Sequence, residues 1–192
     1  MQTIKNNIHN EIIIKNSRFI CYLYKIKSVS DVNIILENIK LIEKDATHYC
    51  YAYIIDDIKK SSDDGEPSGT AGIPILKVLE NNNLNNVLAI VIRYFGGIKL
   101  GANGLIRAYT KSVSNTINVD NISELVKGYN LCIEFNYNQS KEIDYLLRNI
   151  VINSKEFGNT VKYNIDIPVD FLENIKISNV EYEIIKEINI EK

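Results

Sequence analysis

Four basic residues occupy a stretch of the sequence that contains no Asp or Glu. Between Glu80 and Asp120 the charge is +4, and glycines recur in the same stretch. Glycine lets a backbone approach a ligand closely, and the first N–H groups of a following helix attract an anion. The pattern predicts an anion site, with phosphate as the anion that suits it. Its candidate residues are Arg93, Gly96, Gly97, Lys99, Gly101, Asn103, Gly104, Arg107 and Lys111.

A second interpretation of the same stretch stays open. The glycines then form only a tight turn between a strand and a helix, and the basic groups pair with neighbouring carboxylates. Known phosphate-loop fingerprints do not decide between the two, because no G-K-S or G-K-T follows and the G-x-G-x-x-G spacing is absent.

An acidic loop, D-D-G-E-P-S-G-T-A-G, precedes this stretch. Its carboxylates offer oxygen ligands to Mg²⁺, or they pair with Lys99 and Arg107 and order the loop against the basic stretch. We favour the pairing, because magnesium usually shares its site with a substrate phosphate. We therefore predict neither a metal nor a cofactor. The loop residues are Asp63, Asp64, Gly65, Glu66, Pro67, Ser68, Gly69 and Thr70.

The segment T-H-Y-C-Y-A-Y-I-I at 47–55 carries a possible nucleophile and base. As a strand it places His48 and Cys50 on one face and three tyrosines, Tyr49, Tyr51 and Tyr53, on the other. A thiol next to an imidazole suggests nucleophilic catalysis, but no third group orients the pair, and a small Cys is usually core packing. We assign no catalytic residue. The tyrosines suit base stacking, although we expect at least two of them to pack in a core.

The elements that must position these residues follow from hydrophobic periodicity and turn chemistry. The first part predicts a hairpin at 11–26, a helix at 30–45, a strand at 47–55, an irregular segment at 56–72, a helix from Pro74, a buried strand at 87–95 and a helix from about Ala102. The second part predicts a strand at 126–135, a helix at 140–152, strands near 155–157 and 161–167, a short helix from Val169 and a strand at 180–188. The order β-α-β-β-α-β of the second part is typical of a ferredoxin-like fold. We predict an α+β protein with domains at 1–123 and 124–192.

Composition and charge narrow the class of protein. The whole chain has a formal charge of −2, but residues 124–192 contain eight basic and twelve acidic residues, so residues 1–123 carry +2. Electrostatics therefore favour the first domain as the one that faces a polyanion. Three dispersed cysteines, no signal-peptide pattern and no apolar run of about 20 residues predict a cytoplasmic protein without a membrane partner.

Three motifs together resemble the IMPACT/YigZ family. They are A-T-H-Y-C-Y-A-Y at 46–53, D-D-G-E-P-S-G-T-A-G-I-P-I-L at 63–76 and R-Y-F-G-G-I-K-L-G-A-N-G-L-I-R-A-Y at 93–109. The second half is similar to the ferredoxin-like domain of bacterial members. Asn103 stands where glycine is more usual and Tyr49 where asparagine is; since Asn tolerates positive φ, we expect the turn to survive.

The resemblance implies a first domain with the left-handed βαβ fold of a ribosomal small-subunit protein and elongation factor G. It also implies a second domain similar to the last domain of that factor. Eukaryotic members are implied to regulate translation under nutrient stress through a protein partner, with an extra RWD domain that this sequence lacks. We therefore expect a translation-linked regulator that contacts RNA or the ribosome and is not an enzyme. Two alternatives remain: a module that binds a stress-response protein, and a phosphate-handling enzyme.

Overall fold

The computed structural model describes residues 1–192 and shows an α+β protein with two sheets and five α-helices. Two compact units divide the chain, residues 1–124 and residues 125–192. None of the helices combines the length and the apolar character that crossing a bilayer requires.

The first unit is a five-stranded antiparallel sheet with three helices. The elements are β1 (Gln2–Ile4), β2 (Ile8–Ile14), β3 (Ser17–Lys25), α1 (Val29–Ile42), β4 (His48–Ile55), β5 (Ile58–Ser62), α2 (Gly72–Asn81), β6 (Val87–Tyr94), α3 (Ala102–Thr116) and β7, which begins at Ile122. The five strands of the sheet lie in the order β2-β3-β6-β4-β5, and β1 pairs with the beginning of β7.

Helices cover both faces of this sheet, which explains the continuous apolar sequence of the central strand β6. One core lies between the sheet and helices α2 and α3, and it includes Cys50 of β4. The other lies between the sheet and α1, where Tyr53 is buried and Tyr49 and Tyr51 pack at the margin. The expectation that at least two of these tyrosines pack in a core is confirmed, so they do not form an open stacking surface.

The second unit contains four strands and two α-helices. The elements are β7 (Ile122–Phe135), α4 (Ser140–Leu146), β8 (Val151–Phe157), β9 (Val161–Pro168), α5 (Leu172–Ile177) and β10 (Glu181–Glu191). The strands lie in the order β10-β7-β9-β8, all antiparallel to their neighbours. Alternate residues of β7 and β9 point into a single apolar core with the helices.

Three expectations about local structure were wrong. The segment 56–72 is not wholly irregular, because Ile58–Ser62 forms edge strand β5, in which Ile58 is the only apolar residue. The predicted helix at 140–152 ends at Leu146, and strand β8 begins at Val151. Helix α1 is capped by Ser28, two residues before the expected cap: the Ser28 hydroxyl accepts from Asp31 N, and the Asp31 carboxylate accepts from Ser28 N.

Candidate functional site

All three motifs meet at one edge of the first sheet. Strand β4 begins and antiparallel strand β6 ends there, with His48 paired to Arg93. The acidic loop returns to the same edge, because Asp64 accepts hydrogen bonds from the Tyr49 backbone N–H at 2.7 Å and, through its carbonyl, contacts His48 Nδ1 at 2.8 Å. Helix α2 follows the acidic loop, and helix α3 follows strand β6 and the glycine turn. The topology thus gathers segments that lie up to 60 residues apart in the chain.

Asp63 organises the acidic loop around its own carboxylate. Oδ2 accepts from the backbone N–H of Gly69, and Oδ1 accepts from those of Ala71 and Gly72, at 2.8 to 2.9 Å. Partial burial acts to raise the pKa of Asp63, but these three backbone hydrogen bonds hold it below its usual value. An internal carboxylate therefore occupies the N-terminus of helix α2.

Glu66 is the centre of a buried polar network. Its Oε1 atom accepts from Arg93 Nη1 at 2.6 Å and from the Tyr109 hydroxyl at 2.8 Å, and the carboxylate and guanidinium side chains are only 3% and 6% exposed. His48 Nε2 lies 3.9 Å from the other carboxylate oxygen. The network connects Glu66 of the second motif with Arg93 and Tyr109 of the third and lies close to His48 of the first, so it holds the site together.

Cys50 and Tyr109 extend this network into the core. The Cys50 thiol lies 2.9 Å from the Asp63 carbonyl oxygen and 3.3 Å from the Tyr109 hydroxyl. Burial raises the pKa of the Cys50 thiol to about 12, and burial together with Cys50 and Glu66 raises that of Tyr109. Because the thiolate is the nucleophilic form, this raised pKa disfavours nucleophilic attack by Cys50 at neutral pH.

Lys99, Arg107 and Lys111 are exposed, and none of them lies within 4 Å of a carboxylate oxygen. Lys99 belongs to the glycine turn between β6 and α3, and the other two lie one helical turn apart on α3. Gly101 begins this helix without any side-chain cap, so its first N–H groups face solvent. The three cations and the uncapped helix end are available to an anion.

Arg93 must be removed from the predicted anion site. It is buried, and its charge is compensated by Glu66. For the same reason, the expected pairing of the acidic loop with Lys99 and Arg107 is wrong: Asp63 binds its own loop and Glu66 binds Arg93. A charged residue at the end of the buried run V-L-A-I-V-I-R was a signal that a buried partner had to exist.

The glycines of the turn have two different roles. A Cβ on Gly96 would lie 2.1 Å from the carbonyl carbon of Asn16, so this glycine is needed for close packing. Gly97 and Gly101 have φ of +83° and +72° with open space around them, so they are needed for backbone conformation. Asn103 is the second residue of α3 and does not have positive φ, so its tolerance of that region is irrelevant.

Magnesium binding through the acidic loop finds no support in the geometry. Both Asp63 oxygens are engaged by backbone N–H groups, and Glu66 is committed to Arg93 and Tyr109. No group of three His, Cys, Asp or Glu side chains is arranged to hold a metal ion.

The fold and the site define an α+β protein with a cationic glycine turn above a buried ionic network. Residues 15–117 match the model of the Impact N-terminal domain. The chain is 43% identical over 158 residues to the IMPACT family member YvyE of Bacillus subtilis (77% of this chain, 73% of that protein). It is 39% identical over 109 residues to the IMPACT family member YigZ of Escherichia coli (54% of this chain, 53% of that protein). The chain belongs to the IMPACT family.

A solved structure described as a hypothetical protein shares the architecture. It aligns with a TM-score of 0.68 at 27% identity and covers 96% of this chain and 97% of its own. Both units of the chain therefore have a counterpart in that structure.

Proposed function

We propose that this chain is a translation-linked regulatory protein that binds the phosphate backbone of RNA, free or in the ribosome, through the glycine turn and helix α3. Lys99, Arg107 and Lys111 supply the positive charge. The observation that carries the proposal is that these three exposed cations have no carboxylate partner, although acidic residues outnumber basic ones in the whole chain. Backbone phosphates are the partners that such cations attract most generally.

The contrast between the two helix ends supports this assignment. Helix α2 begins on the Asp63 carboxylate, which satisfies the N–H groups of Ala71 and Gly72. Helix α3 begins at Gly101 with no side-chain cap. The N-terminus of α2 is therefore occupied by a carboxylate of the chain itself, whereas the N-terminus of α3, close to Lys99 in sequence, is open to an external anion.

The architecture of the second unit supports a ferredoxin-like fold. The second unit has the element order β-α-β-β-α-β and the strand order β10-β7-β9-β8, which fit a ferredoxin-like domain. We propose the left-handed βαβ fold for the first unit. Domains of these two folds occur in a ribosomal protein and an elongation factor, so the fold favours the ribosome as the partner. The proposed setting is the cytoplasm under stress. A shared fold alone does not define function.

A protein partner is the second candidate. Ile73, Ile98 and Ile106 are exposed in the segments that form the site, and apolar side chains of this kind suit a protein interface. In that case the exposed isoleucines, rather than the three cations, would dominate binding. For a phosphate-handling enzyme, Cys50 is a poor candidate nucleophile, because its thiol is buried with a pKa raised to about 12.

The test is RNA binding measured against salt concentration. For single strands the slope of log K against log salt is about −0.7 for each phosphate neutralised, so Lys99→Ala/Arg107→Ala should flatten it by about 1.4. Lys127→Ala/Lys141→Ala removes the same charge from the second unit and should leave the slope unchanged. Equal slopes for the two double variants, or no RNA binding by the wild type, would remove the proposal.

A separate experiment addresses the ribosome and the protein partner. The wild type is used to capture partners from extract, with and without nuclease. Partners that disappear after nuclease treatment and with Lys99→Ala/Arg107→Ala support RNA. A partner that survives nuclease but is lost with Ile98→Ser/Ile106→Ser supports the protein module.

A further inference from the structure

An exposed aromatic ring lies directly before the glycine turn. Phe95 follows strand β6, precedes Gly96 and Gly97, and is 46% exposed. It lies four residues from Lys99 in a segment without carboxylates. It is the only aromatic side chain of this turn, which otherwise consists of glycines, Ile98, Lys99 and Leu100.

The structure holds this ring in one place. The Phe95 backbone N–H donates to Thr47 Oγ1 at 3.0 Å, and the Arg93 guanidinium lies 5.4 Å from the ring centroid. Arg93 is itself fixed by Glu66 on its edge and by the Phe19 ring, 5.5 Å away. Phe95 therefore rests on a buried ion pair rather than on a flexible side chain.

Gly96 locks the turn against a second element. The space where its Cβ would be is occupied by the backbone of Asn16, and its N–H donates to Ser17 Oγ at 3.2 Å. The backbone of Phe95 and Gly96 is thus anchored to Thr47, directly before β4, and to Ser17 at the start of β3. Little conformational entropy remains for a ligand to remove when it contacts the ring.

We propose that Phe95 is a stacking platform for one unpaired base, so that the RNA bound by the cationic turn is single-stranded. This inference rests on the proposed function and names its ligand more closely. Stacking on an aromatic face is open to any unpaired base and closed to bases inside a duplex. The neighbouring cations bind the phosphates on either side of the stacked base.

Charge favours RNA over an apolar protein surface as the occupant of this ring. An apolar partner that covered Phe95 would also cover or approach Lys99, which has no carboxylate partner within 4 Å. Desolvating an unpaired cation is unfavourable, whereas a strand with a phosphate beside each base satisfies the ring and the cation together.

The absence of tryptophan from the chain permits a direct test. Phe95→Trp creates a single fluorophore at the proposed platform, and Phe157→Trp creates a matched one on exposed strand β8 of the second unit, where Phe157 is 67% exposed. At about 50 mM salt, an oligouridylate strand should quench emission from Phe95→Trp and leave Phe157→Trp unchanged. An abasic strand of the same length should bind through its phosphates without quenching. Equal quenching of both variants, or none in Phe95→Trp while binding persists, would overturn the inference.

Affinity gives an independent readout. Phe95→Leu keeps an apolar side chain but removes the ring, and it should weaken binding of the oligouridylate strand by about 5- to 150-fold, the range for loss of one stacked base. Phe95→Trp should bind at least as tightly as wild type, and Phe157→Leu should not differ from it. For Phe95→Leu, the slope of RNA affinity against salt concentration should equal that of the wild type, because the cations that bind the phosphates are unchanged.

The outcomes separate this inference from the proposed function. If the wild type binds duplex RNA or the abasic strand as tightly as the oligouridylate strand, the proposed phosphate contact stands and the stacking platform is contradicted. If the wild type binds none of these RNAs, both the proposed function and the stacking platform are contradicted. A thermal melt of each variant confirms that the first unit is folded before binding is compared.

Discussion

The Glu66 carboxylate and the Arg93 guanidinium form an ion pair of 2.6 Å that solvent hardly reaches. The two residues lie 27 positions apart, one in the acidic loop and one at the end of a central strand. This pair joins the acidic loop to the sheet, and the Phe95 ring rests on it. Its integrity should therefore control both stability and the shape of the candidate site.

Glu66→Gln should lower the free energy of unfolding by about 3 kcal/mol, because it leaves the Arg93 charge buried without a counter-ion. Urea unfolding at neutral pH measures the loss. The matched control is Glu11→Gln, which breaks the exposed pair of Glu11 with Arg18 at 2.8 Å and should cost at most about 1 kcal/mol. Similar losses in the two variants would mean that the buried pair is not what stabilises this edge. Glu66→Leu/Arg93→Met should recover much of the lost stability, because it removes both charges.

Asp63 should make stability depend on pH in the acidic range. Its pKa in the folded protein is lowered, so its stabilising contribution is complete above the unfolded value of about 3.9 and is lost as pH falls through the folded value. Asp63→Asn should cost about 1 to 3 kcal/mol at pH 7 and reduce the decline below about pH 4. Urea midpoints from pH 3 to 7 provide the comparison. Asp57→Asn, at an exposed position before β5, should follow the wild-type profile; an unchanged profile for Asp63→Asn would contradict the capping role.

The three cysteines should differ in reactivity. Burial raises the pKa of both Cys21 and Cys50 to about 12, whereas Cys132 is partly exposed on strand β7. In the native protein at pH 8, a thiol reagent should therefore modify one cysteine quickly and the others only on unfolding. Cys132→Ser should abolish the fast phase. A fast phase that disappears with Cys50→Ser instead would restore Cys50 as a candidate nucleophile.

Two adjacent glycines should respond differently to the same substitution. Gly96→Ala places a methyl group 2.1 Å from the Asn16 carbonyl carbon, and because that atom belongs to the backbone, the loss should be at least about 3 kcal/mol. Gly97→Ala meets no atom within 4 Å and strains only a left-handed backbone, which costs about 1 kcal/mol. Thermal unfolding of the two variants gives the order directly. A larger loss for Gly97→Ala would show that conformation, not packing, limits the turn.

Much of the fold could be predicted from local patterns. Strand β6, helix α3 and the β2–β3 hairpin were confirmed because their periodicity and their turn residues favour the same structure. Edge strand β5 and the early end of α4 were missed. Strand β5 has a single apolar residue, Ile58, so it lacks the alternation that indicates a strand. In α4 the helical periodicity continues past Leu146, where the chain has already turned toward β8.

Sequence alone established the three motifs, the concentration of positive charge around the glycine turn and the two helices that approach it. These features depend only on local composition and on spacings of a few residues, and both can be read directly from the sequence. Tertiary structure decided which charge is neutralised: Arg93 meets Glu66 and is buried, whereas Lys99 stays in solvent. Ion pairs form where side chains lie within a few ångströms of each other. Residues 27 to 59 positions apart reach that distance only after strand pairing has placed them at one edge of the sheet.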